Sequence, residues 1–158
     1  MNAYPIRIEQ VPGIPLAVVR RRASPAELAT LVPECCGLVW SAIRNQGLKG
    51  GRNVAVYRDA AMNVDIGVEM DGPFAERDGV VRSFTPSGAV ASATHFGSYR
   101  DLGAAHAAIR DWCRAHRRPL AGPSWELYGH WRNEWNDDPS PIRTDVFYLL
   151  APEGAPAG

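Results

Sequence analysis

The sequence lacks a net charge, a long hydrophobic run and a recognisable export signal. Its 17 lysine and arginine residues balance 17 aspartate and glutamate residues, so no overall field draws the chain towards nucleic acid or a membrane surface. No run approaches the roughly 18 consecutive apolar residues of a membrane span. The amino terminus has no apolar segment after a basic start. We therefore expect a cytoplasmic protein that neither binds nucleic acid directly nor enters a membrane.

Cysteine is scarce, and its placement excludes a disulfide framework. Cys35 and Cys36 are adjacent and Cys113 is distant, so the three side chains are predicted to be reduced and buried. None of the four histidines has a cysteine, histidine or acidic partner at the spacing of a zinc site. The sequence also lacks a Gly-rich phosphate loop and a serine elbow. These absences predict no metal and no other cofactor.

The remaining composition is that of an ordinary globular domain. At 158 residues, with 46% hydrophobic and 22% charged residues, the chain can bury a normal core as one domain over residues 1–150. Residues 151–158, rich in proline, glycine and alanine, are predicted to be a disordered tail. Two local basic clusters, Arg20 to Arg22 and Arg114 to Arg118, are interpreted as solvated edges.

Two helices can be placed from capping and periodicity. Ser24, Pro25 and Glu27 form a helix start with a capping box, and apolar residues follow at three- and four-residue steps. Pro33 is expected to kink or break this helix. Ser98 caps a second helix.

Residues 71–88 are predicted to be a connector with at most one short edge strand. Seven further segments alternate as strands: residues 4–11, 15–22, 53–58, 63–70, 89–96, 124–129 and 144–150.

The elements repeat in the same order, which defines the predicted fold. Half-modules over about residues 4–70 and 89–150 each have a strand, a capped helix, a Gly-containing loop and two strands. The alignment pairs Val54-Ala-Val-Tyr57 with Trp125-Glu-Leu-Tyr128. The fold class is therefore α+β: a pseudo-two-fold repeat of two strand–helix–strand–strand modules, with an antiparallel sheet and one main helix per half. A central pocket between the halves is the expected ligand site.

One acid stands out within the second half. In a strand, alternation places Ser124, Glu126 and Tyr128 on one face and Trp125 and Leu127 on the other. If the face of Glu126 lines a cavity, its carboxylate is partly desolvated and needs a positive or hydrogen-bonding partner, which a ligand can supply. If that face is exposed to solvent, Glu126 is an ordinary solvated acid. The spacing alone leaves both alternatives open.

Three segments resemble a known family: Phe96-Gly-Ser-Tyr-Arg-Asp-Leu, Leu120-Ala-Gly-Pro-Ser-Trp-Glu-Leu-Tyr and Arg143-Thr-Asp-Val-Phe. Together they resemble the GyrI-like small-molecule-binding family, also called AraC effector-binding or bacterial transcription-activator effector-binding domains. The resemblance runs from about residue 4 to 150. It implies a pseudo-two-fold fold around a central pocket, with Glu126 at the floor among aromatic rings. In multidrug-sensing relatives such a pocket binds flat or lipophilic cations, which ring faces attract by about 0.5–2 kcal/mol each.

Five aromatic residues are candidates for the ligand-binding rings. On the final strand only one of Phe147 and Tyr148 can point inward, because neighbours along a strand face opposite ways. The five candidates are Trp40, Tyr57, Tyr128, Phe147 and Tyr148.

Three functions compete. The first is a stand-alone domain that captures a hydrophobic, cationic or aromatic compound for sensing or resistance. The second, implied by free-standing relatives, is a hydrolase of electrophilic cyclopropane toxins. There Glu126 would be the general acid or base, and Tyr128 or Tyr57 would bond the leaving oxygen. The third, implied by the family name, is binding to a protein partner, either DNA gyrase or a transcription regulator.

Overall fold

Eight β-strands and two α-helices make up the part of the chain that the computed structural model describes, residues 4–130 and 132–152. The class is α+β with antiparallel strand pairing, as predicted. From residue 153 onwards, the predicted tail lies outside the described residues. The elements are β1 (Arg7–Val11), β2 (Pro15–Arg22), α1 (Leu28–Asn45), β3 (Asn53–Tyr57), β4 (Asn63–Glu69), β5 (Val81–Phe84), β6 (Gly88–Phe96), α2 (Gly103–Ala115), β7 (Leu120–Tyr128) and β8 (Arg143–Leu150).

The chain divides into two compact units, and residues 12–86 form one of them. Its four strands are ordered β5-β2-β4-β3. The capping box is present before α1: the Glu27 carboxylate accepts hydrogen bonds from the backbone N–H and the hydroxyl of Ser24, at 2.9 and 2.8 Å. Of the two alternatives predicted at Pro33, a break is wrong, because α1 runs through it as one helix, and a kink stays a prediction. Both Pro33 and Ala29, whose carbonyl loses its N–H partner, are exposed to water.

Helix α1 has the apolar length of a membrane span but the burial pattern of a core helix. With the turn before it, Pro25–Asn45 has a mean hydropathy of 1.3, enough to pass a length and composition test for a span. One stripe of the helix is nevertheless buried inside its own unit while the opposite side is exposed, as in an amphipathic core helix. The buried residues are Cys35, Cys36, Val39, Ala42 and Ile43.

The second unit consists of β1, β6, α2, β7 and β8, with the strand order β1-β6-β8-β7. Strand β1 pairs with β6, so that Ile8 lies opposite Ala91. This differs from the sequence-based half-module of residues 4–70, which grouped β1 with the first helix. Helix α2 packs on the sheet through Ala105 and Ile109, which are fully buried against Val146 and its neighbours. This buried layer fixes the position of α2 over β6 and β8.

The internal repeat is confirmed by the topology inside each unit. Each has a strand, a helix and two strands, and each adds an edge strand beside the first of them. The registers also agree, since β3 and β4 pair Val56 with Asp65, and β7 and β8 pair Leu127 with Asp145. The alignment of the two halves made from sequence therefore holds in both units.

Candidate functional site

Glu126 lies in β7 on the face of the sheet that α2 covers, and only 4% of its surface is exposed. Strand alternation turns Trp125 and Leu127 to the opposite face, where both are also buried. The register places Glu126 opposite Val146 of β8. The acid thus sits in an apolar layer, where an isolated carboxylate would be costly.

Both carboxylate oxygens of Glu126 are hydrogen-bonded. The Tyr128 hydroxyl donates to Oε1 at 2.6 Å, and His106 Nε2 lies 2.7 Å from Oε2. The other ring nitrogen, His106 Nδ1, is 2.7 Å from the Tyr148 hydroxyl. Arg110 Nη1 donates to the same Tyr148 oxygen at 2.9 Å. A continuous hydrogen-bond chain therefore leads from the exposed Arg110 on α2 to the buried Glu126 and on to Tyr128.

A neutral imidazole satisfies every member of this chain. Arg110 donates to the Tyr148 oxygen, and the Tyr148 hydroxyl then donates to His106 Nδ1. His106 Nε2–H donates in turn to the Glu126 carboxylate. Burial raises the pKa of Tyr148, and the nearby Glu126 charge acts in the same direction, although Arg110 opposes the shift. Tyr148 therefore remains a hydroxyl donor well into the alkaline range.

Helical spacing positions the two α2 residues of the chain. His106 and Arg110 are one turn apart, which puts them on the same side of α2. The rings form edge-to-face pairs: His106 with Tyr148 at 5.5 Å, and Tyr99 with Tyr128 at 5.6 Å between centroids. Tyr99, before α2, is exposed. The carboxylate is thus enclosed by rings, and an exposed ring touches the outer one.

The structure places some of the predicted aromatic candidates beside Glu126 and others away from it. Tyr148 shares the face of Glu126, whereas Phe147 is on the opposite face and stacks on Trp125 at 5.3 Å and 13°. Phe147 therefore does not lie beside the acid. Trp40 and Tyr57 belong to the unit of residues 12–86. Within that unit, Trp40 Nε1 donates to Asn53 at 2.7 Å.

Sequence reasoning missed His106 and Arg110 as partners of the acid. His106 follows Leu102 by four residues, so helical periodicity puts it on the apolar stripe of α2 and favours a core position. The repeat carried a usable signal, because α1 and α2 both end two residues before a left-handed position, Gly47 and Arg117. Counting back from there aligns His106 with Cys36, just as Glu126 aligns with Ala55. An acid and a histidine appear together in one half and are both replaced by small residues in the other.

A buried hydroxyl next to this cluster is unsatisfied. Within residues 4–130 and 132–152, the Thr144 hydroxyl is buried without a hydrogen-bond partner. The register places Thr144 between Tyr128 of β7 and His95 of β6. A buried hydroxyl without a partner costs about 1–3 kcal/mol, which a polar group of a ligand would offset. Over the same described ranges, no three histidine, cysteine or acidic residues are grouped so as to hold a metal ion.

The sequence profile of the GyrI-like small molecule binding domain matches residues 4–150. The chain belongs to the GyrI-like small-molecule-binding family. No curated protein matches the sequence.

Solved structures of several proteins share this fold. The C-terminal domain of EcmrR superposes with a TM-score of 0.77 at 17% identity, covering 94% of this chain and 98% of that one. SAV2435 bound to tetraphenylphosphonium has a TM-score of 0.67 at 10% identity, covering 93% and 94%. A hydrolase encoded by lin2189 from Listeria innocua has a TM-score of 0.60 at 8% identity, covering 92% and 91%. At these identities the likeness establishes the fold alone.

Proposed function

We propose that this domain binds a hydrophobic cation at Glu126, as a step in sensing the compound or in resistance to it. The observation that carries the proposal is a carboxylate only 4% exposed, with an imidazole nitrogen 2.7 Å from one oxygen. A buried carboxylate needs a hydrogen-bonding or positive partner. His106 occupies the place that the charge of a ligand would take.

Binding then amounts to an exchange of partners at Glu126. A cation that enters displaces the His106 ring from Oε2, while the Tyr128 hydroxyl keeps its bond to Oε1. The faces of Tyr128, Tyr148 and Tyr99 offer cation–π attraction of about 0.5–2 kcal/mol each once they are desolvated. The apolar body of the ligand replaces the contacts between α2 and the sheet.

The tetraphenylphosphonium complex of SAV2435 supports the same ligand class. Tetraphenylphosphonium is a lipophilic cation with no hydrogen-bond donor, so a site for it must rely on charge and on ring faces. Both features are present around Glu126. The proposal extends that ligand class to this chain through the shared fold and this local chemistry.

The test is a calorimetric titration of the protein with tetraphenylphosphonium and with the neutral triphenylphosphine oxide. Glu126→Gln keeps the shape of the side chain and removes its charge. A charge pair about 6 Å apart at an effective dielectric constant of about 20 is worth about 2–3 kcal/mol. The dissociation constant for the cation should therefore rise about 10- to 100-fold. The constant for the neutral compound should change less than about threefold.

Glu134→Gln is the matched control, because Glu134 is exposed and its substitution changes the net charge equally. It should leave both affinities unchanged. Equal losses for the cation and the neutral compound in Glu126→Gln would show that the site does not use the charge.

The same cluster supports a second candidate, a hydrolase of electrophilic cyclopropane compounds. Its observation is the Tyr128 hydroxyl 2.6 Å from Glu126, on a hydrogen-bond chain that can move a proton. Glu126 would take a proton from a water that attacks a ring carbon, and the cyclopropane C–C bond would break as the new C–O bond forms. The electron pair of that bond would move to the conjugated carbonyl, and Tyr128 would turn from Oε1 to bond its developing oxygen anion. Incubation with an electrophilic cyclopropane should then give many product molecules per protein. A stoichiometric complex without product would leave the binding function only.

A further inference from the structure

We propose that the unit of residues 12–86 contains a second binding site, for a small anion that carries a phosphate or carboxylate group. The site is a groove of about 460 Å³ at one end of the sheet of this unit. Nothing in this proposal depends on the ligand of Glu126. Its lining residues are Arg20, Arg21, Arg22, Arg58, Asn63, Val64 and Asp65.

Strand register brings the arginines to the groove. Arg20 lies opposite Asp65 and Arg22 lies opposite Asn63, so these four residues share one face of the sheet. Arg58 follows β3 directly. The basic cluster at the end of β2, interpreted from sequence as a solvated edge, is thus part of a concave surface.

Arg58 is held in a fixed position at the base of the groove. Its guanidinium donates to Asp65 Oδ2 at 2.8 and 3.1 Å, to the Ser83 hydroxyl at 2.8 Å and to the carbonyl of Phe84 at 2.7 Å. Asp65 is buried, and its other oxygen, Oδ1, lies 3.3 Å from Arg20 Nε. The one acid that lines the groove is therefore already shared between two arginines.

Arg20 and Arg22 retain donors for a ligand. Arg20 contacts Asp65 through Nε, and Arg22 donates from Nε to the carbonyl of Ala61 at 3.2 Å. Among the described residues, the terminal nitrogens of these two side chains have no protein partner. A guanidinium presents parallel N–H groups that match the oxygens of a phosphate or carboxylate. Two exposed guanidinium groups on one face of the sheet can therefore bind one anion together.

Charge and size both favour a small anion. The four lining arginines are opposed by Asp65 and by the nearby Asp59, whose oxygens already accept bonds from Asn63 and Ala61. An excess of positive charge remains. The volume of about 460 Å³ lies in the range of pockets for small molecules, about 300–1,000 Å³. The basic cluster at the end of α2 does not line this groove, and its Arg114 pairs with Asp111 at 3.0 Å.

The experiment is a calorimetric titration of the whole chain at low salt with inorganic pyrophosphate and, separately, with citrate. Saturable binding of either probe is expected, and the tighter one tells phosphate from carboxylate recognition. Arg22→Gln and Arg20→Gln should each raise the dissociation constant about tenfold. Arg77→Gln, an exposed arginine of the same unit outside the groove, should change it less than about twofold.

Two results would overturn the site: no saturable binding of either anion, or equal weakening by Arg22→Gln and Arg77→Gln. Arg58→Gln is avoided, because it would remove the partner of a buried carboxylate and destabilise the fold. The affinity of Arg22→Gln for tetraphenylphosphonium should be unchanged. This measurement distinguishes failure of the anion site from failure of the cation site at Glu126.

Discussion

Replacing His106 with alanine should have opposite effects on stability and on cation binding. In the free protein, the imidazole bonds the Glu126 carboxylate at 2.7 Å and the Tyr148 hydroxyl at 2.7 Å. A hydrogen bond to a charged group contributes about 1.5–3 kcal/mol, and removal of the ring also leaves a cavity. The free energy of unfolding of His106→Ala should therefore fall by about 2–4 kcal/mol.

The same variant should bind tetraphenylphosphonium more tightly. In the wild type, the cation must break the bond between His106 and Glu126 before it reaches the carboxylate. Without the imidazole that cost disappears, and a bond of even about 1.4 kcal/mol corresponds to a tenfold gain in affinity. Urea unfolding measures the first effect, and calorimetric titration measures the second.

Two further variants make this test specific. His116→Ala changes an exposed histidine of the same chain segment, whose ring stacks on Trp112 at 4.0 Å, and should leave cation affinity unchanged. His106→Gln keeps a hydrogen-bond donor and should give intermediate values if His106→Ala folds poorly. A loss of cation affinity in both His106 variants would refute the exchange of partners at Glu126.

Two predictions concern stability and thiol chemistry. Arg117, after α2, adopts a left-handed φ of 55°, whereas the matching position after α1 is Gly47. Arg117→Gly should therefore raise the free energy of unfolding by about 0.5–1 kcal/mol in urea titrations. A lower unfolding midpoint would contradict this. Burial raises the pKa of Cys36 to about 12, so a thiol reagent at about pH 8 should modify it only after denaturation, and rapid native modification would disprove that. Because this folded pKa exceeds the ordinary thiol value of 9.0, unfolding releases a proton at high pH. Stability should therefore fall as pH rises from 9 towards 12, and Cys36→Ala should remove that component.

The repeat and its elements follow from sequence because their signals are local. The capping box of Ser24 and Glu27 and the strand alternation around Glu126 each involve residues close together in the chain. The same alternation predicted that Phe147 and Tyr148 face opposite ways. It did not say which one faces the acid, since that depends on which side of the sheet α2 covers.

The features that escaped prediction depend on contacts between distant segments. Strand β1 joins β6, about 80 residues later, because an open sheet edge can accept any extended segment that reaches it. His106 meets Glu126 only after α2 packs on β6 and β8, and helix periodicity alone cannot distinguish that partner from the apolar core. Pro33 was expected to kink or break the first helix. The helix continues through it, since the carbonyl of Ala29, which loses its N–H partner, is exposed to solvent.

The structure of this protein in complex with tetraphenylphosphonium would test the central claim most directly. The account predicts the phosphonium centre beside the Glu126 carboxylate and within about 6 Å of the centroid of a neighbouring tyrosine ring, the usual range for a cation that faces an aromatic ring. His106 Nε2 should then be displaced from Oε2. A complex that binds the cation elsewhere, with the contact between His106 and Glu126 intact at 2.7 Å, would contradict it.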